Sequence, residues 1–119
     1  MSGFLIGRIK SIRYAVKGFF LLLTTENSII TQSILAIIFI ALGFLFEIER
    51  VEWALQFLAI GLVLSIESLN TAVEKVCDFI HPDHHEKIGF IKDVASGAVT
   101  FAALTAFAIA ALIYGPYLF

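Results

Sequence analysis

Long uncharged stretches alternate with short polar clusters along this chain, and their lengths predict its helices. Residues 27–46 form twenty positions without a charge, about 30 Å of α-helix and enough to cross the hydrocarbon core of a bilayer. Residues 53–66 are also uncharged, and no charge follows Asp93. The pattern predicts three transmembrane helices, over about 27–46, 52–79 and 88–115.

The first 25 residues follow a different pattern, in which apolar and basic side chains occupy opposite faces of a helix. The apolar face consists of Leu5, Ile9, Ile12, Val16, Phe19 and Leu23. Lys10, Arg13 and Lys17 fall on the other side, as in helices that lie in the membrane interface with their cations towards lipid phosphates. We predict an amphipathic surface helix over residues 4–25. A signal peptide fits less well, because the apolar part is short and no small-residue cleavage site follows it.

Composition supports an integral membrane protein with a single domain over residues 1–119. The hydrophobic fraction of 60% and the mean hydropathy of +0.95 are too high for a soluble domain. Of the eight Lys and Arg residues, four lie in the first 17 positions and three between Lys75 and Lys92. Because cytoplasmic segments are enriched in Lys and Arg, we expect the N-terminus in the cytoplasm, with residues 47–52 and the C-terminus outside.

Carboxylates appear at helical intervals in the second half of the second predicted span. Glu67 and Glu74 lie about 20° apart around a helix axis and about 10 Å apart along it, with Asn70 and Asp78 near the same face. Glu67 stands among apolar neighbours, where an ionised group is costly unless a function uses it. We therefore interpret this acidic face as the functional part of the chain.

Glu26 and Glu74 mark the cytoplasmic ends of the first two predicted spans, so the two carboxylates can approach each other. Paired oxygen ligands with open water positions suit Mg²⁺ that carries nucleotide phosphates. The alternative is that both residues only mark helix ends.

Two other polar segments have a structural and a functional interpretation. The cluster His81 to Lys87 contains Pro82 and is typical of a solvated loop, since its spacing matches no closed zinc site. On the third span, Gly89, Asp93, Ser96 and Thr100 share one face, where small residues let helices approach closely. Lys92 at the entrance of that helix can also hold a phosphate as a point charge.

Together these residues resemble the prokaryotic diacylglycerol kinase family, small integral-membrane lipid kinases that include the undecaprenol kinases. The motif is Glu67-x-x-Asn70-x-Ala72-x-Glu74-x-x-x-Asp78, followed by His85-Glu86 and Lys92-Asp93-x-x-Ser96. The likeness extends upstream to Glu26 and to Tyr14-Ala-Val-Lys17-Gly18, so it covers nearly the whole chain. A set of this length is far more specific than any single pair of residues.

The resemblance implies an all-α homotrimer in the inner membrane, whose active sites lie at the cytoplasmic interface and combine residues of neighbouring protomers. It implies Glu67 as catalytic base, Asn70 as a further catalytic residue, and Glu26 with Glu74 as holders of Mg²⁺ and ATP. Ser96, with Glu67, would face the lipid substrate. The positions implied for nucleotide contact are Tyr14, Asp83, His84, His85, Lys92 and Asp93.

The resemblance leaves the acceptor lipid open. Diacylglycerol is the first expectation, giving phosphatidic acid, and undecaprenol is the alternative. After Glu26 the chain reads Asn-Ser-Ile-Ile-Thr-Gln32, where diacylglycerol enzymes carry an Arg-Gln pair, and its Arg8-x-Lys-Ser-x-Arg13-Tyr-Ala segment is closer to the undecaprenol branch. A different class, a non-catalytic oligomeric membrane protein whose polar residues only join helices, remains the competing hypothesis.

Overall fold

Four α-helices make up the computed structural model, which describes residues 2–119. The helices are α1 (Ser2–Thr25), α2 (Asn27–Leu45), α3 (Arg50–Ile80) and α4 (Glu86–Leu118). The last three are each long and apolar enough to cross a membrane. The predicted all-helical architecture with three apolar spans is therefore confirmed.

A single residue, Glu26, separates α1 from α2. Its backbone is extended, with φ −102° and ψ 110°, and this interrupts the helix without adding a loop. No residue of α1 over Ser2–Thr25 is buried. The chain measures 50 × 47 × 23 Å, and the second dimension is far too wide for three helices packed side by side at about 10 Å. Helix α1 therefore projects away from the other three.

A tight turn with Glu47 in the left-handed conformation joins α2 to α3. Glu47 has φ 50°, and its amide donates to the carbonyl of Phe44 while the amide of Ile48 donates to that of Gly43. These two bonds form a Schellman motif, whose left-handed position is usually glycine. Ile48 then points inward and is buried against Ile113 and Tyr114 of α4.

Close contact between α2 and α3 at this end depends on Gly43. A Cβ atom at Gly43 would lie 2.7 Å from the ring of Trp53. The ring is not free to move aside, because it also packs against Phe44 and stacks on Phe57. Glycine is required here by the approach of the two helices.

A buried polar network ties the three spans together near the same end. The Tyr114 hydroxyl of α4 donates to Gln56 Oε1 of α3, and the Gln56 amide donates to the Phe39 carbonyl of α2 over 3.2 Å. Gln56 is only 4% exposed. Interhelical hydrogen bonds of this kind stabilise helix association inside a membrane.

Large apolar side chains cover the outer faces of the spans. Phe101 and Phe107 on α4 are each 78% exposed, and Phe44 on α2 is 72% exposed. Such a surface is unsuited to water and suits contact with lipid chains or with other membrane helices.

Candidate active site

Glu67 lies on the side of α3 that faces α2. Its side chain is half-buried, and its Oε2 atom accepts a hydrogen bond from Nε2 of Gln32 over 3.4 Å. The helix of α3 is unbroken from Arg50 to Ile80, so the carboxylate is held by regular backbone. Sequence reasoning placed Glu67 in the site but not Gln32.

One turn further along α3, Asn70 contacts Glu74. The Asn70 amide donates to Glu74 Oε1 over 3.3 Å, which is the expected geometry for side chains four residues apart on a helix. Asn70 is 8% exposed, yet its Oδ1 atom is buried without a hydrogen-bond partner. Buried polar atoms without partners are rare in proteins and mark positions where a ligand or water completes the bonding.

An ion pair brings Glu26 against the same end of α3. Lys75 Nζ lies 3.1 Å from Glu26 Oε1, and the two side chains are 67% and 23% exposed. Lys75 directly follows Glu74 in the chain, so Glu26 and Glu74 lie at the same end of the α2–α3 pair. The ammonium group occupies a position next to the Glu26 carboxylate where another cation would also be stabilised.

The entrance of α4 is joined to the end of α3 by a second ion pair. Lys92 Nζ lies 2.6 Å from Asp78 Oδ1, with both side chains substantially exposed. Asp93 and Ser96 lie on exposed positions of α4 nearby in sequence. The predicted phosphate-binding lysine is thus engaged with a carboxylate and is reachable from solvent.

The loop between α3 and α4 uses its histidines for local hydrogen bonds. His81 Nδ1 lies 2.8 Å from the Asp83 carbonyl oxygen, and His85 Nδ1 accepts from the Lys87 amide over 3.1 Å at the start of α4. Asp83 and His84 are exposed. Over residues 2–119, no three His, Cys, Asp or Glu side chains gather closely enough to hold a metal ion by themselves.

Tyr14 is distant from this surface within a single chain. It is 70% exposed and lies eleven residues before the end of α1, about 17 Å along the helix. Since α1 projects away from the spans, the chain brings Glu26, Glu67, Asn70 and Glu74 to one helix pair but leaves Tyr14 apart.

A largely apolar cavity of about 300 Å³ opens beside Gln32 and runs between the three spans. Small residues on α4, including Ala103, Ala106 and Ala110, leave the space for it. Gln32 and Gln56 are the two polar residues among those that line it.

Comparison with known proteins assigns the arrangement to a family. Residues 13–114 match the family described as "Prokaryotic diacylglycerol kinase". The chain belongs to the prokaryotic diacylglycerol kinase family. It is 37% identical to an undecaprenol kinase of Bacillus subtilis over 92% of this chain and 89% of that protein.

Two further relatives in the prokaryotic diacylglycerol kinase family are named diacylglycerol kinases. That of Haemophilus influenzae is 34% identical over 93% of this chain and 91% of its own length. That of Escherichia coli K12 is 28% identical over 82% of this chain and 80% of its own length. The family resemblance is confirmed, and the chain is a membrane lipid kinase. The hypothesis of a non-catalytic membrane protein is set aside.

Two contacts of this family member, Gln32 with Glu67 and Lys75 with Glu26, were absent from the sequence prediction. Gln32 is the polar member of the α2 residues that line the cavity, and the others, Leu35, Ala36 and Phe39, are apolar. A polar residue on the inward face of a membrane helix is itself a signal of a site. The Lys75–Glu26 contact could not be predicted from the sequence, because it depends on how α2 packs against α3.

Proposed function

We propose that this protein transfers the γ-phosphoryl group of ATP to the hydroxyl group of a membrane lipid at the cytoplasmic face of the membrane, with Glu67 as general base. The observation that carries the proposal is the half-buried Glu67 carboxylate on the α2-facing side of a membrane span. A carboxylate at that depth meets a lipid hydroxyl without requiring the lipid to leave the bilayer.

In the proposed reaction the lipid hydroxyl oxygen attacks the γ-phosphorus and Glu67 accepts the hydroxyl proton. The bond between the γ-phosphorus and the oxygen that bridges to the β-phosphate breaks, and ADP leaves with the electrons of that bond. Phosphoryl transfer needs positioning and charge neutralisation more than covalent help from the protein. Asn70 assists by holding Glu74 through its amide group.

The residues around Glu26 fit a magnesium ion. The carboxylates of Glu26 and Glu74 and the unpartnered Oδ1 of Asn70 are hard oxygen donors, the kind that Mg²⁺ prefers. Bound there, Mg²⁺ would neutralise triphosphate charge. Two protein carboxylates are typical of Mg²⁺ sites completed by substrate phosphates and water. Lys75, which pairs with Glu26 Oε1, would compete with such an ion for this carboxylate.

The nucleotide would reach this end of the spans from the cytoplasm. Lys92, once freed from Asp78, contributes a positive charge to the phosphates, and Asp83, His84, His85 and Asp93 lie around the same loop and helix entrance. Tyr14 takes part from a neighbouring protomer in a homotrimer. The distance of Tyr14 from Glu26 along α1 supports this sharing between chains.

The lipid would lie against α2, α3 and α4 with its hydroxyl at Glu67. The cavity has mostly apolar walls and is lined at one end by Gln32, the hydrogen-bond partner of Glu67, so the hydrocarbon chain of the lipid is the occupant that fits it. Ser96 contacts the lipid from the exposed side of α4.

Undecaprenol is the acceptor that we place first, and diacylglycerol, the first expectation from sequence, second. The undecaprenol kinase relative shares 37% identity against 34% for the Haemophilus diacylglycerol kinase. The Arg8-x-Lys-Ser-x-Arg13-Tyr-Ala segment points the same way. The two acceptors differ in the shape of the chain beside the hydroxyl.

Purified protein given γ-labelled ATP and equal amounts of both lipids tests the proposal. We expect labelled lipid, with undecaprenyl phosphate in excess over phosphatidic acid. Labelled phosphatidic acid alone would reverse the order of acceptors. Absence of label in any lipid alcohol, from protein that is folded and inserted, would refute the kinase proposal.

A further inference from the structure

The hydrogen bond from Gln32 to Glu67 joins α2 to α3. Gln32 Nε2 lies 3.4 Å from Glu67 Oε2, a long hydrogen bond between half-buried groups. An ionised carboxylate only accepts hydrogen bonds, so the amide nitrogen must face it. Bonds of this kind around catalytic groups are often long without substrate and shorten in the reacting complex.

The Gln32–Glu67 hydrogen bond and the Glu26–Lys75 ion pair both lie along the contact between α2 and α3. Glu26 contacts Lys75. Gln32, which follows Glu26 by six residues, contacts Glu67, which precedes Lys75 by eight residues. At 1.5 Å per residue these are steps of about 9 and 12 Å along antiparallel helices. Gln32 is thus the residue of α2 at the depth where the lipid hydroxyl must react.

The amide oxygen of Gln32 distinguishes this residue from a glutamine that only joins helices. Gln32 Oε1 is buried without a hydrogen-bond partner, as is the neighbouring Ser33 Oγ. Gln56, at the other end of the same cavity, has both amide atoms bonded to the protein. A glutamine used only to join helices is expected to resemble Gln56, because leaving a buried polar atom unpaired costs stability.

We infer that Gln32 is a positioning residue for the reaction, which orients the Glu67 carboxylate towards the lipid hydroxyl through its amide N–H. The inference rests on the proposed role of Glu67 as base. Without the amide, the carboxylate can rotate about its side-chain torsions, and the fraction of complexes aligned for proton transfer falls. Hydrogen bonds to charged groups are stronger than those between neutral groups, so the orientation is held firmly enough to affect the rate.

The test is a set of turnover measurements on Gln32→Met, which keeps length and volume but removes the amide. We expect kcat for lipid phosphorylation to fall about 10- to 100-fold, with KM for ATP and for the lipid nearly unchanged. Tyr117→Phe is the matched control, since it removes the interhelical hydrogen bond that the Tyr117 hydroxyl donates to Glu52, at the far end of the spans and outside the cavity. It should lower thermal stability but leave kcat per folded protein within about twofold.

The same substitution in a Glu67→Gln background separates orientation from packing. If Gln32 acts through Glu67, Gln32→Met should reduce the residual kcat of Glu67→Gln far less than it reduces that of the unmodified chain. Equal losses in the two backgrounds, or an equal loss for Tyr117→Phe, would assign the effect to helix packing and overturn the inference.

Gln32→Leu provides a second variant should Gln32→Met fail to assemble. The leucine side chain has no hydrogen-bond donor for Glu67, so kcat should again fall. Full turnover in Gln32→Leu or Gln32→Met, beside an impaired Glu67→Gln, would refute the inference and leave the proposed function intact. Full turnover in Glu67→Gln would refute the proposed function itself.

Discussion

Glu67 and Glu74 share one face of α3 but lie about 10 Å apart in depth. In the proposed mechanism this separation assigns the two carboxylates to different tasks. The phosphate groups and their cation would use the water-accessible Glu74, and the lipid hydroxyl would use Glu67 as its proton acceptor within the span. A single helix supplies both because seven residues make almost two full turns.

Replacement of Glu67 by Gln should abolish most turnover while nucleotide binding persists. The amide keeps shape and hydrogen bonding but cannot take a proton, so we expect kcat to fall about 10²-fold or more. Measurement of kcat for lipid phosphorylation and of ATP affinity in one preparation checks this. Loss of ATP affinity as well would move Glu67 into the cation site and require a different base.

The Mg²⁺ concentration needed for half-maximal activity should rise when Glu26 or Glu74 is replaced and fall when Lys75 is replaced. Glu26→Gln and Glu74→Gln each replace a negatively charged carboxylate ligand with a neutral amide, so a higher Mg²⁺ concentration should be needed for half-maximal activity. Lys75→Met frees Glu26 and should lower that concentration by up to about fivefold, since exposed ion pairs contribute at most about 1 kcal/mol. Mg²⁺ titrations of initial rate measure all three.

Unchanged titrations in both carboxylate variants would remove Glu26 and Glu74 from the cation site. Lys87→Met is the control for the loss of one positive charge, because Lys87 is exposed at the start of α4. It should leave the Mg²⁺ requirement unaltered.

Spacing within one helix made the acidic face of α3 predictable from sequence, because the helical repeat fixes angles around the axis. The partners of that face were not predictable. Which residue of α2 meets Glu67 depends on the register of two helices, and register is set by packing at Gly43 and Trp53 far along the pair. Gln32 and Lys75 were therefore missed although both contact predicted residues.

The turn between α2 and α3 contains a residue in an unfavourable backbone conformation. Glu47 takes the left-handed conformation with φ 50°, which is unfavourable for residues with a Cβ atom by about 1 kcal/mol or more. A glutamate there keeps charge at the end of two membrane spans, at the place where the positive-inside pattern predicts the outer surface.

Glu47→Gly should stabilise the protein, because glycine adopts positive φ without steric conflict. We expect an increase of about 0.5–1 kcal/mol in the free energy of unfolding, measured in detergent by chemical denaturation. Glu47→Ala is the matched control, since it removes the same charge but keeps a Cβ atom at the position with φ 50°. A stabilisation of equal size in both variants would point to charge rather than backbone conformation.

Length and polarity were enough to predict three apolar spans and two polar connections, because a bilayer fixes how much uncharged helix is needed. The left-handed conformation of Glu47 could not be predicted from the sequence, since glutamate is not one of the residues that favour turns. The predicted surface orientation of α1 and the trimer depend on lipid and on neighbouring chains, which act beyond one protomer.

The assembled protein is expected to place its two polar connections on opposite sides of the membrane. Cys77 is only 4% exposed, so its reactivity reports burial and not sidedness, and a Cys77→Ala background is needed. In that background Glu49→Cys should react with an impermeant thiol reagent in intact cells, whereas Glu86→Cys should react only after permeabilisation.

Both introduced positions are exposed in the structure, so a difference between them reflects the side of the membrane on which each lies. Labelling of Glu86→Cys in intact cells would invert the proposed orientation and place the Glu26 surface outside.

The single-residue junction at Glu26 fixes the position of α1 relative to the Gln32–Glu67 hydrogen bond. With no loop to absorb a change, one residue inserted between Thr25 and Gln32 would turn the following part of α2 by about 100° or push α1 outward by about 1.5 Å. Either would separate Gln32 from Glu67 or Glu26 from Lys75. On the proposed assignment of Glu67, the depth at which the lipid hydroxyl reacts is therefore set by the number of residues between Glu26 and Gln32.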